Sequence, residues 1–262
     1  MLNTVDTGTS ILVNAQVRAD FTAETALEAI VETLRLQGRP HTITLDRDPR
    51  FVGSQMQRDF PSPLLRLLHC LGIQVTICPP RRPDRNGFVE RYNRTYNHEC
   101  LRVFEPKDVD MARTLTEGFR RHYNHERPNQ ALSCGNQPPC VAFPDLRLGP
   151  PLPTMIDPDR WVEVLDGQRY VRKIAKNGTV SVDGTLYYID QAWHGRYVSL
   201  CIHAAKRAFV VEYREQVVKE LPLKGLVGDV LPLEEYIAQM KAEAQTQYVA
   251  GRPFGRQLRL PV

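Results

Sequence analysis

Pro83-Asp84-Arg85-Asn86-Gly87-Phe88-Val89-Glu90-Arg91-Tyr92-Asn93-Arg94 opens with turn formers and basic side chains, then runs on without Pro or Gly. It therefore reads as a loop entering a helix that carries Glu90 in its opening turn. Asn86 and Gly87 would permit a tight entry, with Gly87 serving a positive φ or a close backbone approach. Upstream, Thr42-Ile43-Thr44-Leu45-Asp46-Arg47-Asp48-Pro49-Arg50-Phe51 is a β-branched run that breaks at an Asp-rich turn, which puts Asp46 at the end of a strand. One acid ends a strand and another begins a helix, with 43 residues between them. If the fold joins them among these arginines, they can hold a divalent metal facing a phosphate backbone, as two-metal phosphoryl transfer requires.

The flanking sequence supports a layered fold. Ile11 to Val17 is β-rich, and Thr22 starts a helix with Ala26, Leu27, Ile30, Val31 and Leu34 at helical spacing, stopped by Gly38. The Asp46 strand follows, expected to run parallel to a neighbour. A Leu-rich helix from Leu64 to Leu71, a strand through Ile73, Val75 and Ile77, and a helix from about Asp108 to Tyr123 complete an alternating α/β pattern. Pro138, Pro139, Pro144, Pro150, Pro151, Pro153 and Pro158 then mark a linker. Beyond it, 161–164, 169–174, 179–182, 186–189, 197–202 and 208–213 read as short strands. Asp166-Gly167, Asn177-Gly178, Asp183-Gly184 and His194-Gly195 supply turn signals between them, so a small β-barrel is expected. A helix from Pro232 to Val249 and a basic tail close the chain.

The composition is that of an ordinary globular protein long enough for two cores: 262 residues, 42% hydrophobic, 24% charged and a net charge of +4. The weak basicity suits nucleic acid without requiring it, whereas the crowding of Arg81, Arg82, Arg85, Arg91, Arg94 and Arg102 around Glu90 is more pointed. Six cysteines without a Cys-x-x-Cys pair read as reduced, mostly buried thiols, not as zinc ligands. With no leader-like start and no long apolar run, the expectation is a cytoplasmic protein without a membrane span.

Three ordered motifs carry a resemblance. Ile43-Thr44-Leu45-Asp46 with Phe51, and Asn86-Gly87-Phe88-Val89-Glu90-Arg91, resemble the second and third acidic motifs of the DDE transposase and retroviral-integrase superfamily. Tyr123-Asn124-His125-Glu126-Arg127-Pro128-Asn129-Gln130-Ala131-Leu132 is similar to the signature that follows the core in bacterial insertion-sequence transposases, with Asn129 where His is usual. The resemblance implies an α/β fold, a ribonuclease-H-like integrase core followed by a small all-β barrel domain and a C-terminal helix. The divisions would be a core over 1–145, a Pro-rich linker over 146–160, a DNA-binding barrel over 161–225, and a helix with basic tail over 226–262. It implies metal-dependent strand transfer on DNA in transposition or integration, with Mg²⁺ or Mn²⁺ held by Asp46 and Glu90 as catalytic and metal-binding residues. DNA at element ends and target would be the partner, in a homo-oligomer associated with the nucleoid when bound.

Two departures from the family pattern accompany this. The Asp46 to Glu90 interval is long, and Pro61-Ser62-Pro63 reads as a loop insertion that absorbs the excess. The family's first Asp lies on the strand before a segment like Leu2 to Ser10, so here it would precede Met1 and the core reads as N-terminally incomplete. A catalytically incomplete, transposase-derived DNA-binding protein is accordingly the alternative.

Arg81, Arg82, Arg85, Asn86, Arg91, Arg94 and His98 are the candidate DNA contacts, the last three sharing the Glu90 helix. Against these stand plainer readings. Asp46 is also a good turn residue, Glu90 a helix-start acid favoured by the dipole, and the arginines a solvated face. Asp48 and Asp6 read as turn closers. Tyr123, Asn124, Arg127 and Pro128 read as a helix end tied back to the core. Arg169, Arg172, Lys173, Lys176, Arg196, Lys206 and Arg207 of the barrel read as surface charges that could also track phosphates.

Overall fold

A computed structural model describes residues 1–53, 59–79, 87–146 and 149–246. In chain order it holds β1 (Leu2–Val5), β2 (Leu12–Gln16), α1 (Ala23–Gln37), β3 (Thr42–Leu45), α2 (Pro49–Val52), α3 (Pro63–Cys70), β4 (Gln74–Ile77) and α4 (Gly87–Tyr96). A π-helical turn (Asn97–Leu101) leads to α5 (Arg102–Phe104), α6 (Val109–His125) and α7 (Pro139–Ala142). Then come β5 (Met155–Ile156), β6 (Arg169–Lys173), β7 (Thr179–Val182), β8 (Thr185–Tyr188), β9 (Tyr197–His203), β10 (Ala208–Tyr213), β11 (Gln216–Pro222), β12 (Leu231–Pro232) and α8 (Leu233–Thr246). The chain divides into two compact units, one of residues 1–51, 74–152 and 244–262, the other of 52–73 and 153–243.

In the first unit β1 and β2 form an antiparallel pair and β3 and β4 a parallel one. Thr22 caps α1 with a reciprocal Thr25 bond, satisfying two orphan groups at the helix start. The helix buries Ala26, Leu27, Ile30, Val31 and Leu34, as its spacing predicts. Gly38 ends it at φ +76°, with Gly149 and Pro150 so close that a side chain would strike their backbone. The Gly149 amide donates to Gln37 and the Arg39 amide to Pro150, so this Pro-rich stretch is tied down at α1. Asp108 caps α6 by accepting from the Met111 amide.

The core of this unit is aromatic. Tyr92, Tyr96, Phe119 and Tyr123 pack with Leu12 and Cys100, with ring centroids 5.1 Å apart for Tyr92 and Tyr123 and 5.4 Å for Tyr96 and Phe119. Tyr96 Oη and Thr116 Oγ1 lie 2.5 Å apart in the interior. Asn124 fastens α6 to β2: its Nδ2 donates to the Leu12 carbonyl at 3.0 Å and its Oδ1 accepts the Leu12 amide at 2.9 Å. Asn129 Nδ2 donates to Tyr123 Oη and its Oδ1 accepts the Ala131 amide.

In the second unit β11, β10, β9 and β6 form an antiparallel sheet, with β7–β8 and β5–β12 as separate pairs. The expected barrel is not closed among the described residues. The β7–β8 hairpin is joined to its neighbours by side chains: Arg172 Nε donates to Ser181 O and Lys219 Nζ to Tyr188 O and Ile189 O. Phe209 centres its interior, against Phe60, Tyr170 and Tyr187. Helices α3 and α8 belong to this unit, joined where Cys70 Sγ lies 3.5 Å from Tyr236 Oη. Asp183 and Gly184 take positive φ at the β7–β8 turn, as a two-residue hairpin requires.

Four local expectations are corrected. Residues 161–164 lie in a 3-10 helix, Arg160–Leu165, because Trp161 and Val162 are both buried, a consecutive pair that an alternating strand cannot bury on one face. Pro61 to Pro63 is not a loop insertion but a helix start, with Ser62 accepting the Leu65 amide and Pro63 in the first turn. Gly87 has no positive φ, and a side chain there would meet open space. Strand β11 has no counterpart among the expected strands: its Val217 and Val218 are exposed, so it lacks the alternation that marks a half-buried strand.

Replacing Asn124 by Leu should orphan both Leu12 backbone groups and lower unfolding stability by roughly 2–6 kcal/mol, at about 1–3 kcal/mol per buried group. Urea unfolding measures this; a drop under about 1 kcal/mol would show that Asn124 does not hold α6 to β2.

Candidate functional site

Parallel pairing sets the site. The β3–β4 register matches Leu45 with Ile77, and the Cys78 amide donates to the Leu45 carbonyl at 2.9 Å. Asp46 and Cys78 therefore sit side by side, one residue past the ladder, at the carboxyl ends of their strands. Helix α4 starts soon after and carries Glu90 in its first turn. Burial pushes the Cys78 thiol above its ordinary pKa, and the charges of Asp46 and Glu90 both push it further.

The surroundings of the two acids differ. Asp46 accepts the Asp48 amide at 3.1 Å, so it is also the turn residue of the plainer reading. Its pKa is raised, chiefly by burial and also by the neighbouring Asp48 charge. Asp48 is occupied elsewhere: Arg50 reaches it with Nε at 2.8 Å, Nη2 at 2.6 Å and its own amide at 2.9 Å. Burial opposes ionisation of Asp48, but these bonds outweigh it and hold its pKa below the ordinary value. Asp6 accepts the Thr9 amide and hydroxyl, which makes it a turn closer. Glu90 is exposed.

The buried face of α4 explains where Glu90 points. Tyr92 and Tyr96 are one turn apart and face the core, which leaves Glu90, Arg91 and Arg94 exposed. The π-helical turn at Asn97–Leu101 continues the helix with His98 exposed and Cys100 buried. Such a turn takes an extra residue and re-aims the side chains beyond it. Arg91, Arg94 and His98 thus share accessible surface with Glu90. Arg81, Arg82, Arg85 and Asn86 lie outside the described residues.

Other basic residues are largely engaged. Arg127 holds Glu99 with two bonds of 2.6 Å. In the second unit Arg169 pairs with Glu212, Arg172 with Asp59, Lys206 with Glu220, and Arg207 with Asp157 and Asp159. Lys173 lies over the Tyr197 ring, and Arg196 over Trp193 and Tyr213. The charges that sequence reading offers as phosphate contacts are mostly committed to acids or rings. That sorting is not visible in the sequence, because the partners are distant along it.

Residues 71–139, the segment that carries Cys78 and α4, match the integrase core domain family. This match agrees with the resemblance that the motifs carry to the DDE transposase and retroviral-integrase superfamily. It is 30% identical over 103 residues to the insertion element IS476 uncharacterized 39.2 kDa protein of Xanthomonas euvesicatoria, covering 39% of this chain and 27% of that one. Over 132 residues it is 23% identical to the insertion element IS407 uncharacterized 31.7 kDa protein of Burkholderia multivorans, covering 50% of this chain and 45% of the relative. The chain thus spans less than half the length of these curated relatives. A solved simian T-cell lymphotropic virus intasome in complex with PP2A regulatory subunit B56 gamma aligns with 18% identity and a TM-score of 0.38, covering 80% of this chain and 66% of that one.

Arg127 holds the Glu99 carboxyl below its ordinary pKa, so the pair adds stability above the unfolded carboxylate value and loses it as pH falls through the folded one. Glu99→Gln should cost about 0.5 kcal/mol at pH 7, as exposed pairs do, and nothing near pH 2. Urea midpoints at both pH values check this; an equal cost at both would assign the effect to something other than charge.

Proposed function

We propose that this chain serves DNA transposition or integration by metal-dependent strand transfer, with Asp46 and Glu90 as the acid pair facing the scissile phosphate. The observation that supports this reading is placement: Asp46 stands just past the end of β3 beside Cys78, and Glu90 lies in the first turn of the helix that follows β4. Their donor chemistry suits Mg²⁺ or Mn²⁺, hard ions that take carboxylate oxygen. When bound, such an ion would activate the attacking hydroxyl and stabilise the leaving 3′ oxygen. Arg91, Arg94 and His98, exposed on the Glu90 helix, would contact the phosphates and fix the register of the duplex. Six unpaired thiols suit a reducing cytoplasm, and no helix among the described residues is long and apolar enough to cross a membrane. Self-association on DNA follows from the family.

A second reading has its own support. Among the described residues no group of three or more His, Cys, Asp or Glu side chains could hold a metal. Two carboxylates alone make an open and weak site, so these 262 residues would bind DNA and join strands poorly.

Calorimetric titration should find one weakly held Mn²⁺, abolished in Asp46→Asn and in Glu90→Gln, while DNA affinity stays within about twofold. Unchanged Mn²⁺ uptake in both variants would remove the acid pair, and tight uptake of two equivalents would remove the incomplete-site reading. For the duplex, fluorescence anisotropy against salt is the measure. Arg91→Ala with Arg94→Ala should flatten the slope of log K against log salt by roughly 0.9 for each phosphate no longer neutralised. An unaltered slope would move the DNA surface away from α4.

A further inference from the structure

Arg169, Arg172, Lys206 and Arg207 of the second unit are neutralised by the acids that hold them, but Lys173, Arg196 and Arg214 are held by rings. Arg196 lies over the Trp193 ring at 5.3 Å and over Tyr213 at 5.5 Å, Arg214 over Tyr213 at 5.3 Å, and Lys173 over Tyr197 at 6.0 Å. These cations have no carboxylate partner among the described residues. A carboxylate that fixes a guanidinium also cancels its charge and takes its N–H groups, whereas a ring engages the flat face and leaves both available. Charge is thus positioned in advance without being neutralised.

The ring-held cations gather at one end of the sheet. Lys173 pairs with Tyr197 across β6 and β9. Tyr213 lies just past the last β9–β10 pair, Ser199 with Glu212, and Trp193 ends a short 3-10 turn that leads into β9. Trp193 and Tyr213 meet edge to face at 5.1 Å. Of the acids nearby, Glu212 is held by Arg169 and Asp190 caps the Ala192 amide, which leaves Glu215 against the cations.

The turn that presents Arg214 is strained. Arg214 and Glu215 link β10 to β11 between the paired Tyr213 and Gln216, and both take positive φ, +49° and +67°. That conformation suits Asn-Gly, and the β7–β8 turn meets it with Asp183-Gly184. Two long side chains have no conformational reason to occupy it, and strain of this kind collects at binding sites. What the turn does is set Arg214 over the Tyr213 ring.

Arg196, Arg214 and Lys173 are exposed, and Tyr197 is 62% exposed, so cationic and aromatic planes share one solvent-facing end. The cations call for phosphate, and the planes call for a further flat group. Bases inside a duplex have both faces covered by their neighbours. Only unpaired bases offer a face to a ring or a guanidinium.

We propose that this end of the sheet binds a single strand of nucleic acid, with phosphates on Lys173, Arg196 and Arg214 and unpaired bases stacked on Tyr197 and on the exposed guanidinium planes. The site stands on side chains of the second unit alone and does not rest on the strand-transfer reading.

The test is fluorescence anisotropy on the 262-residue chain. The probes are oligothymidylate, oligouridylate and an abasic deoxyribose-phosphate strand, each of about twelve nucleotides, within the site sizes of such surfaces. All carry the same charge, so phosphate contacts elsewhere on the chain cancel from the comparison. The better of the two base-bearing strands, which identifies the sugar, should bind about fivefold or more tighter than the abasic one, as stacking predicts. Tyr197→Ser should close that gap and Tyr197→Phe should keep it. Arg214→Gly should weaken the base-bearing strands while holding or raising the melting temperature, because glycine relieves the turn. Equal binding of base-bearing and abasic strands would overturn the proposal, as would a gap that survives Tyr197→Ser. So would a lower melting temperature in Arg214→Gly, which would make Arg214 a residue of the fold.

Discussion

The packing of four aromatic rings is what the rest of the first unit depends on. Helix α4 has few apolar residues and could not hold itself against β2 by aliphatic burial. Tyr92 and Tyr96 supply the contact, closed on by Phe119 and Tyr123 of α6. Rings of this kind each bury a large area and prefer the edge and tilted geometries found here. Fixing those two tyrosines inward leaves the polar residues of α4 outward, Glu90 among them. Deep burial pushes the Tyr92 hydroxyl far above its ordinary pKa, so it stays neutral and the cluster holds no charge at working pH. Asn124 then prevents α6 from sliding on β2, because a shifted helix would leave two Leu12 backbone groups without partners.

The positions of Asp46 and Glu90 are therefore set by two independent devices. One is the parallel ladder of β3 and β4, whose register puts Asp46 and Cys78 at adjacent strand ends. The other is the aromatic clamp on α4. Asp46 also closes its own turn by accepting the Asp48 amide, whereas Glu90 is exposed. Asp48, whose carboxylate is consumed by Arg50, and Asp159, which accepts the Val227 and Gly228 amides, serve as struts.

Local signals in the sequence are legible where one residue determines one feature. Thr22 and Asp108 start helices because a side-chain oxygen there satisfies a free amide, and Asp183-Gly184 turns because its φ values suit few other pairs. The β-branched run before Asp46 ends as a strand should. Features that depend on partners far along the chain are not legible. The aromatic cluster joins four rings from two helices, and the sequence marks only Tyr123 of them as tied to the core; the pairing of Arg169 or Arg172 with acids 43 and 113 residues away is fixed only by folding. Gly87 and Pro61 mislead for a different reason: each has several uses, and flexibility or a break is only one of them. The same holds for Trp161, where β propensity yields to a short helical turn that buries two neighbours at once.

In the second unit the gaps beside β7 and β8 are spanned by long side chains. Arg172 reaches one neighbour, Lys219 and Lys224 the other, each donating to strand carbonyls. A charged donor placed on a carbonyl satisfies it and discourages a further strand from approaching.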